Sequence, residues 1–87
     1  MDTPTLHEAL AIAEAADTPR AAASALRERL PALRVVVVDG FDMRDEKPAA
    51  QGLRRQLHLG ASDGHCWAVT EDLAKATGLF VSDRLAP

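Results

Sequence analysis

Residues 52–70 read GLRRQLHLGASDGHCWAVT, and the fold turns on how this stretch pairs with itself. Two alternating segments, Leu53 to Leu59 and His65 to Thr70, flank the polar, glycine-bounded break Gly60-Ala61-Ser62-Asp63-Gly64. Period-two alternation interrupted by such a break predicts a β-hairpin. On its first strand Leu53, Arg55, Leu57 and Leu59 share one face, and Arg54, Gln56 and His58 share the other. On its second strand His65, Trp67 and Val69 lie on the face opposite Cys66, Ala68 and Thr70. Burial favours the register that groups Leu57 and Leu59 with Trp67 and Val69. That register needs an odd loop, and Gly60 to Gly64 supply five residues, setting Leu57 opposite Trp67 and His58 opposite Cys66. A two-residue Asp63-Gly64 turn is the alternative; it puts Cys66 on the leucine face and His58 beside Trp67. In the first register Trp67 anchors the core; in the second it is an exposed contact residue.

Upstream of the hairpin the pattern changes from strand to helix. Thr3-Pro4, or a Thr5-x-x-Glu8 capping box, opens a helix whose stripe is Leu6, Leu10 and Ala13, widened by Ala9 and Ile12. Asp17-Thr18-Pro19 ends it and starts a second helix running to about Leu30, with Ala22, Ala23, Leu26 and Leu30 inward; Pro31 stops it. Two alanine-rich helices with so short a link predict an αα-hairpin. Leu33 to Asp39 is a strand, since Val35 to Val38 are stiff at χ1 and suit a pleated backbone. Asp42 to Gly52 reads as a charged loop. Downstream, Thr70-Glu71-Asp72 suits a helix start and Gly78 its C-terminal cap, followed by a strand from Leu79 to Ser82. The expected order is α-α-β-β-β-α-β: an α+β domain covering residues 1–87, its αα-hairpin packed on a mainly antiparallel sheet of about four strands.

Composition narrows the function classes. Eighty-seven residues with 47% hydrophobic and 26% charged side chains describe one small globular domain rather than a disordered chain. A single cysteine cannot close an internal disulfide. With no basic-then-apolar leader and no long apolar run, a cytoplasmic location is expected, with no membrane partner. A net charge of −3 with only two lysines argues against nucleic acid, which needs clustered basic groups.

Chemistry is sparse. His58 and Cys66 are competent metal ligands, and the odd-loop register would hold them side by side. Two ligands do not make a site, no CxxC or HxxxH spacing supplies more, and no metal or other cofactor is expected. Asp42, Asp45 and Glu46 lack the alternating oxygens and fixed glycine of a calcium loop. A Cys-His nucleophile would need an orienting group and oxyanion donors, and a hairpin flank offers no pocket for them. No phosphate loop, catalytic carboxylate pair or dinucleotide fingerprint is present, so no enzyme is expected. Arg54 and Arg55 point to opposite faces and read as surface and rim charges rather than an anion site.

From GLRRQLHLG through DGHCWAVTEDLAKATGLFVSD the chain resembles a small uncharacterised bacterial family often encoded among nitrogen-fixation genes. The residues that carry the resemblance are Asp63-Gly64-His65-Cys66, Thr70 and Ala76-Thr77-Gly78-Leu79, with a helical N-terminal third ending in Leu30-Pro31. The resemblance supplies no catalytic residue. It implies a setting, accessory work around nitrogenase or its electron supply.

The expectation is a non-enzymatic protein-interaction module. One helical hairpin covers one sheet face, so the other face should meet another protein or a second copy through Val36, Val38, His58, Cys66 and Ala68. The alternative is a small metal- or redox-responsive protein built on His58 and Cys66.

Overall fold

A computed structural model describes residues 1–85. The helices form as their sequences predict, though α1 (Thr3–Ala15) is capped one residue earlier than expected. The Asp2 carboxylate accepts the Thr5 N–H at 2.9 Å, so Pro4 falls inside the first turn, where it has no helical bond to lose. In α2 (Pro19–Arg29) the Thr18 hydroxyl accepts the Ala21 N–H at 3.0 Å. Ala9, Ala13, Ala22 and Ala23 are fully buried where the helices meet each other and the sheet. Side chains this small let the backbones approach closely, which is how a chain with few large apolar residues closes a core.

Five strands follow: β1 (Arg34–Val37), β2 (Ala50–Gln51), β3 (Arg55–Ser62), β4 (Trp67–Thr70) and β5 (Gly78–Asp83). The sheet is mixed, in the order β1-β5-β3-β2, with β4 sharing the β2 side of β3. β1 runs parallel to β5, and the remaining pairs are antiparallel. Both helices lie on the face bearing Val35, Leu57, Leu59, Leu79 and Val81, which with Leu26 and the buried alanines make the core. Each of those leucines contributes about 1.5–3 kcal/mol by leaving water.

The α+β expectation holds in outline, and two of its elements do not. Residues 71–77 form turns rather than a helix. The Thr70 hydroxyl takes the Asp72 N–H, and the Asp72 carboxylate takes the Ala74 N–H, so two competing caps occupy consecutive turns. Gly78, read as a helix cap, is instead the first residue of β5, paired with Gly60. The fifth strand, β2, lies within the stretch expected as a charged loop, because two residues are too few to show alternation.

The hairpin register also differs from the expected one. Ser62 pairs with Trp67 and Gly60 with Val69 across the four-residue loop Asp63-Gly64-His65-Cys66. An even loop exchanges the faces. Trp67 and Val69 therefore lie with His58 and Gly60 on the face away from the helices, while Ala68 and Thr70 lie on the helix side. Leu57 is opposite Val81 and Ala50, not Trp67.

Candidate functional site

The face away from the helices is divided by one connection. β1 and β2 run in the same direction with β5 and β3 between them, so residues 38–49 must cross both strands. The Ala49 N–H reaches the Leu57 carbonyl at the far side. Beneath this connection lies a buried polar row. The Gln56 amide donates to the Ser82 hydroxyl at 3.2 Å, and His58, 0% exposed, places Nε2 3.3 Å from the Glu46 carbonyl. A carbonyl only accepts, so Nε2 carries the proton, and Nδ1 is left without a partner among the described residues. Half of the face expected to be open is thus roofed.

The other half is uncovered and centres on Trp67. The Asp63 carboxylate accepts the N–H groups of His65 and Cys66, each at 2.9 Å. Those bonds hold its pKa below the ordinary carboxylate range, the Cys66 N–H contributing most. Gly64 completes the turn at φ 100°, a conformation that costs glycine nothing. Beyond the turn the indole lies over Gly60 and Gly78. A Cβ placed on Gly60 would come within 3.2 Å of Trp67 Cε3 and 3.1 Å of Phe80 Cε2; one on Gly78 would lie 2.9 Å from Trp67 Cζ3. Two glycines paired across β3 and β5 therefore form a flat floor for the ring, which remains 40% exposed. Val36, Val69 and Phe80, each half-buried, surround it, with Arg34 exposed on the rim.

The five expected contact residues separate accordingly. Val36 and Val38 lie half-buried on the expected face. His58 is sealed under the 38–49 connection, Cys66 is exposed in the turn, and Ala68 is exposed on the helix side of β4. His58 and Cys66 are not cross-strand neighbours: Cys66 sits in the loop beside Asp63, which is one residue past the end of β3 and five residues, about 16 Å, from His58. No group of three or more His, Cys, Asp or Glu among the described residues is placed to hold a metal ion. Zinc titrated into the purified chain is expected to show no stoichiometric tight binding, and Cys66→Ser should leave the titration unchanged. Tight one-to-one binding lost in that variant would contradict the separation of the two residues.

Arg54 and Arg55 have a structural task that the face-counting missed. The Glu14 carboxylate, in the last turn of α1, accepts the backbone N–H groups of Leu53 at 3.0 Å, Arg54 at 2.9 Å and Arg55 at 2.6 Å. In return, the Arg54 guanidinium donates to the carbonyls of Glu14 and Asp17, and Arg55 donates to that of Ala16. Buried Arg55 also pairs with Asp83 at 3.0 Å. The end of α1 and the β2–β3 turn thereby satisfy each other's free backbone groups. The sequence signal was a glutamate in the last turn of a helix, which alone does not reveal its target. The charged run after β1 gives surface contacts: Arg44 stacks 4.1 Å over Phe41, and Lys47 meets Glu71 at 3.8 Å.

Among the described residues no helix is long and apolar enough to cross a membrane. No protein-family model, curated protein or solved structure matches this chain.

Proposed function

We propose that this chain is a non-enzymatic protein-interaction module whose contact surface is the uncovered end of the sheet, centred on Trp67. The observation that supports this reading is the placement of its largest side chain. In a protein with three aromatics, the tryptophan lies outside the core, half-exposed on a glycine floor. A rigid indole has little conformational freedom left to lose when a partner covers it, and tryptophan is enriched at the residues that dominate binding energy. Val36, Val69 and Phe80 extend the apolar patch, and the exposed Arg34 gives it a polar rim. The setting implied by the family resemblance, accessory work around nitrogenase or its electron supply, is part of this proposal.

Trp67→Ala separates contact from stability. Because the ring is only partly buried, its loss should cost about 1–2 kcal/mol and leave the circular dichroism spectrum intact. Partner capture from cells grown under nitrogen-fixing conditions, or self-association by sedimentation, should be abolished by Trp67→Ala and by Val36→Lys. Leu53→Ala, which removes the most exposed large apolar side chain, at 88%, in the β2–β3 turn, should leave association unchanged. Association that survives both Trp67→Ala and Val36→Lys would sink the proposal.

A further inference from the structure

β1 is an edge strand, and its free side is lined by arginines. The Arg34 N–H goes to the Thr77 carbonyl and the Val38 N–H to the Val81 carbonyl. In a parallel strand the even-numbered residues therefore turn their backbone groups to β5, and Val35 and Val37 turn theirs outward. The outward Val35 carbonyl is taken by Arg27 at 2.8 Å, and Val35 is buried. The Val37 N–H and C=O have no partner among the described residues, and Val37 is 37% exposed.

Two open clefts follow this edge, one on each side of Arg27. The first is lined by Arg27, Leu33, Arg34, Val35 and Val36, the second by Arg20, Ser24, Arg27 and Val37. The three arginines are thus spaced along β1, with Arg34 at its start, Arg27 at its middle and Arg20 beside Val37. Arg20 and Arg27 stand about 10 Å apart along α2. Among the described residues none of the three has a carboxylate within salt-bridge distance, although the chain carries a net charge of −3.

We infer that the β1 edge is a docking site for an extended acidic segment of a partner protein, added to the sheet as a further strand. Main-chain bonds to Val37 would give such a segment its register, and side chains at alternate positions would face α2. Acidic residues at those positions meet Arg20 and Arg27. A second copy of this chain fits less well: two-fold pairing of β1 with itself sets two basic stripes side by side, and like charges oppose it. Arg27, by closing the Val35 carbonyl, already blunts the edge against unspecific pairing. The inference rests on the Val37 edge and on Arg20 and Arg27, which α2 carries on the helix side of the sheet, opposite the Trp67 patch.

The probe is a fluorescein-labelled octapeptide of alternating glutamate and valine, titrated into the intact isotope-labelled protein. Saturable binding is expected, with the Val37 amide gaining protection from hydrogen exchange while the Val36 amide, already bonded to β5, changes little. Arg20→Glu should weaken binding by about tenfold or more, and Trp67→Ala should leave it unchanged. Methylating the peptide nitrogens at every second residue should abolish binding in one of the two possible frames and spare the other. Equal binding by both methylated peptides would reduce the contact to unspecific charge attraction and overturn the inference. It is overturned equally by no saturation at about 1 mM peptide, by full competition from single-stranded oligonucleotide, or by a dimer of the free protein that already protects the Val37 amide.

Discussion

Gly78→Val is expected to lower the melting temperature by about 15 °C or more, the largest effect of any single exchange at the tryptophan floor. A side chain there meets two neighbours at once. Its Cβ would lie 2.7 Å from the Arg34 carbonyl oxygen and 2.9 Å from Trp67 Cζ3. The indole can tilt, but the carbonyl belongs to β1 and can retreat only if β1 parts from β5. The cost is about 3 kcal/mol, a large share of the stability of so small a domain. Gly60→Ala is the matched contrast. Its nearest neighbours, at 3.1–3.2 Å, are the rings of Phe80 and Trp67, which can shift, so it should cost less than about 1.5 kcal/mol. Combining each change with Trp67→Ala separates the two causes: the alanine should relieve Gly60→Ala almost wholly and Gly78→Val only in part. Thermal melts of the six proteins decide it. A Gly78→Val chain that melts like the parent, or one fully rescued by Trp67→Ala, would refute the backbone clash.

Glu14→Gln should cost about 2 kcal/mol and make stability less sensitive to acid. Three backbone N–H groups point at the Glu14 carboxylate, and an amide can accept at only one of its two positions. Charge-assisted bonds contribute about 1.5–3 kcal/mol each, but partial access to water reduces the sum. Desolvation pushes the Glu14 pKa up, yet the N–H groups of Arg55, Arg54 and Leu53 and the charge of Arg54 outweigh it, holding the group below the ordinary value near 4.5. A carboxylate depressed in the folded state binds fewer protons than in the unfolded chain. Its contribution is therefore complete above about pH 4.5 and is lost as the pH falls through the lower, folded value. Urea unfolding of parent and Glu14→Gln chains across that range should converge as the pH drops. Parallel curves with a constant offset would show that the carboxylate's charge has no part in the lock.

The helices were legible because each carries its own punctuation: Thr18-Pro19 opens α2, and Pro31 follows its end. Four adjacent valines announced β1 equally plainly. What misled was the hydrophobic weight of Trp67. Assigning the heaviest apolar side chain to the core forces an odd loop, and the rest of that register follows. The glycines at 60 and 78 carried the contrary information, since paired glycines leave a shallow place on a sheet that an indole can fill from outside. That meaning appears only once β5 is known to lie beside β3, a pairing no local pattern encodes. Glu14 was illegible for the same reason: its three donors lie about forty residues away in the chain. His58 and Cys66 stood out by chemistry alone, and the register parted them.

The crossing of residues 38–49 over β5 and β3 has a consequence for the order in which the chain is made. β1 is the third element synthesised, yet among the described residues its only partner in the sheet is β5, which follows every other strand in sequence. While a ribosome is still adding residues 40–77, Val35 to Val38 have no strand to join, and the nascent chain presents a bare valine run. The two helices are the sole local shelter, with Arg27 close enough to cover one end. Folding of this domain therefore waits for residues 78–83, and a chain cut before Gly78 would keep its helices' sequence while losing the strand that ties β1 to β3.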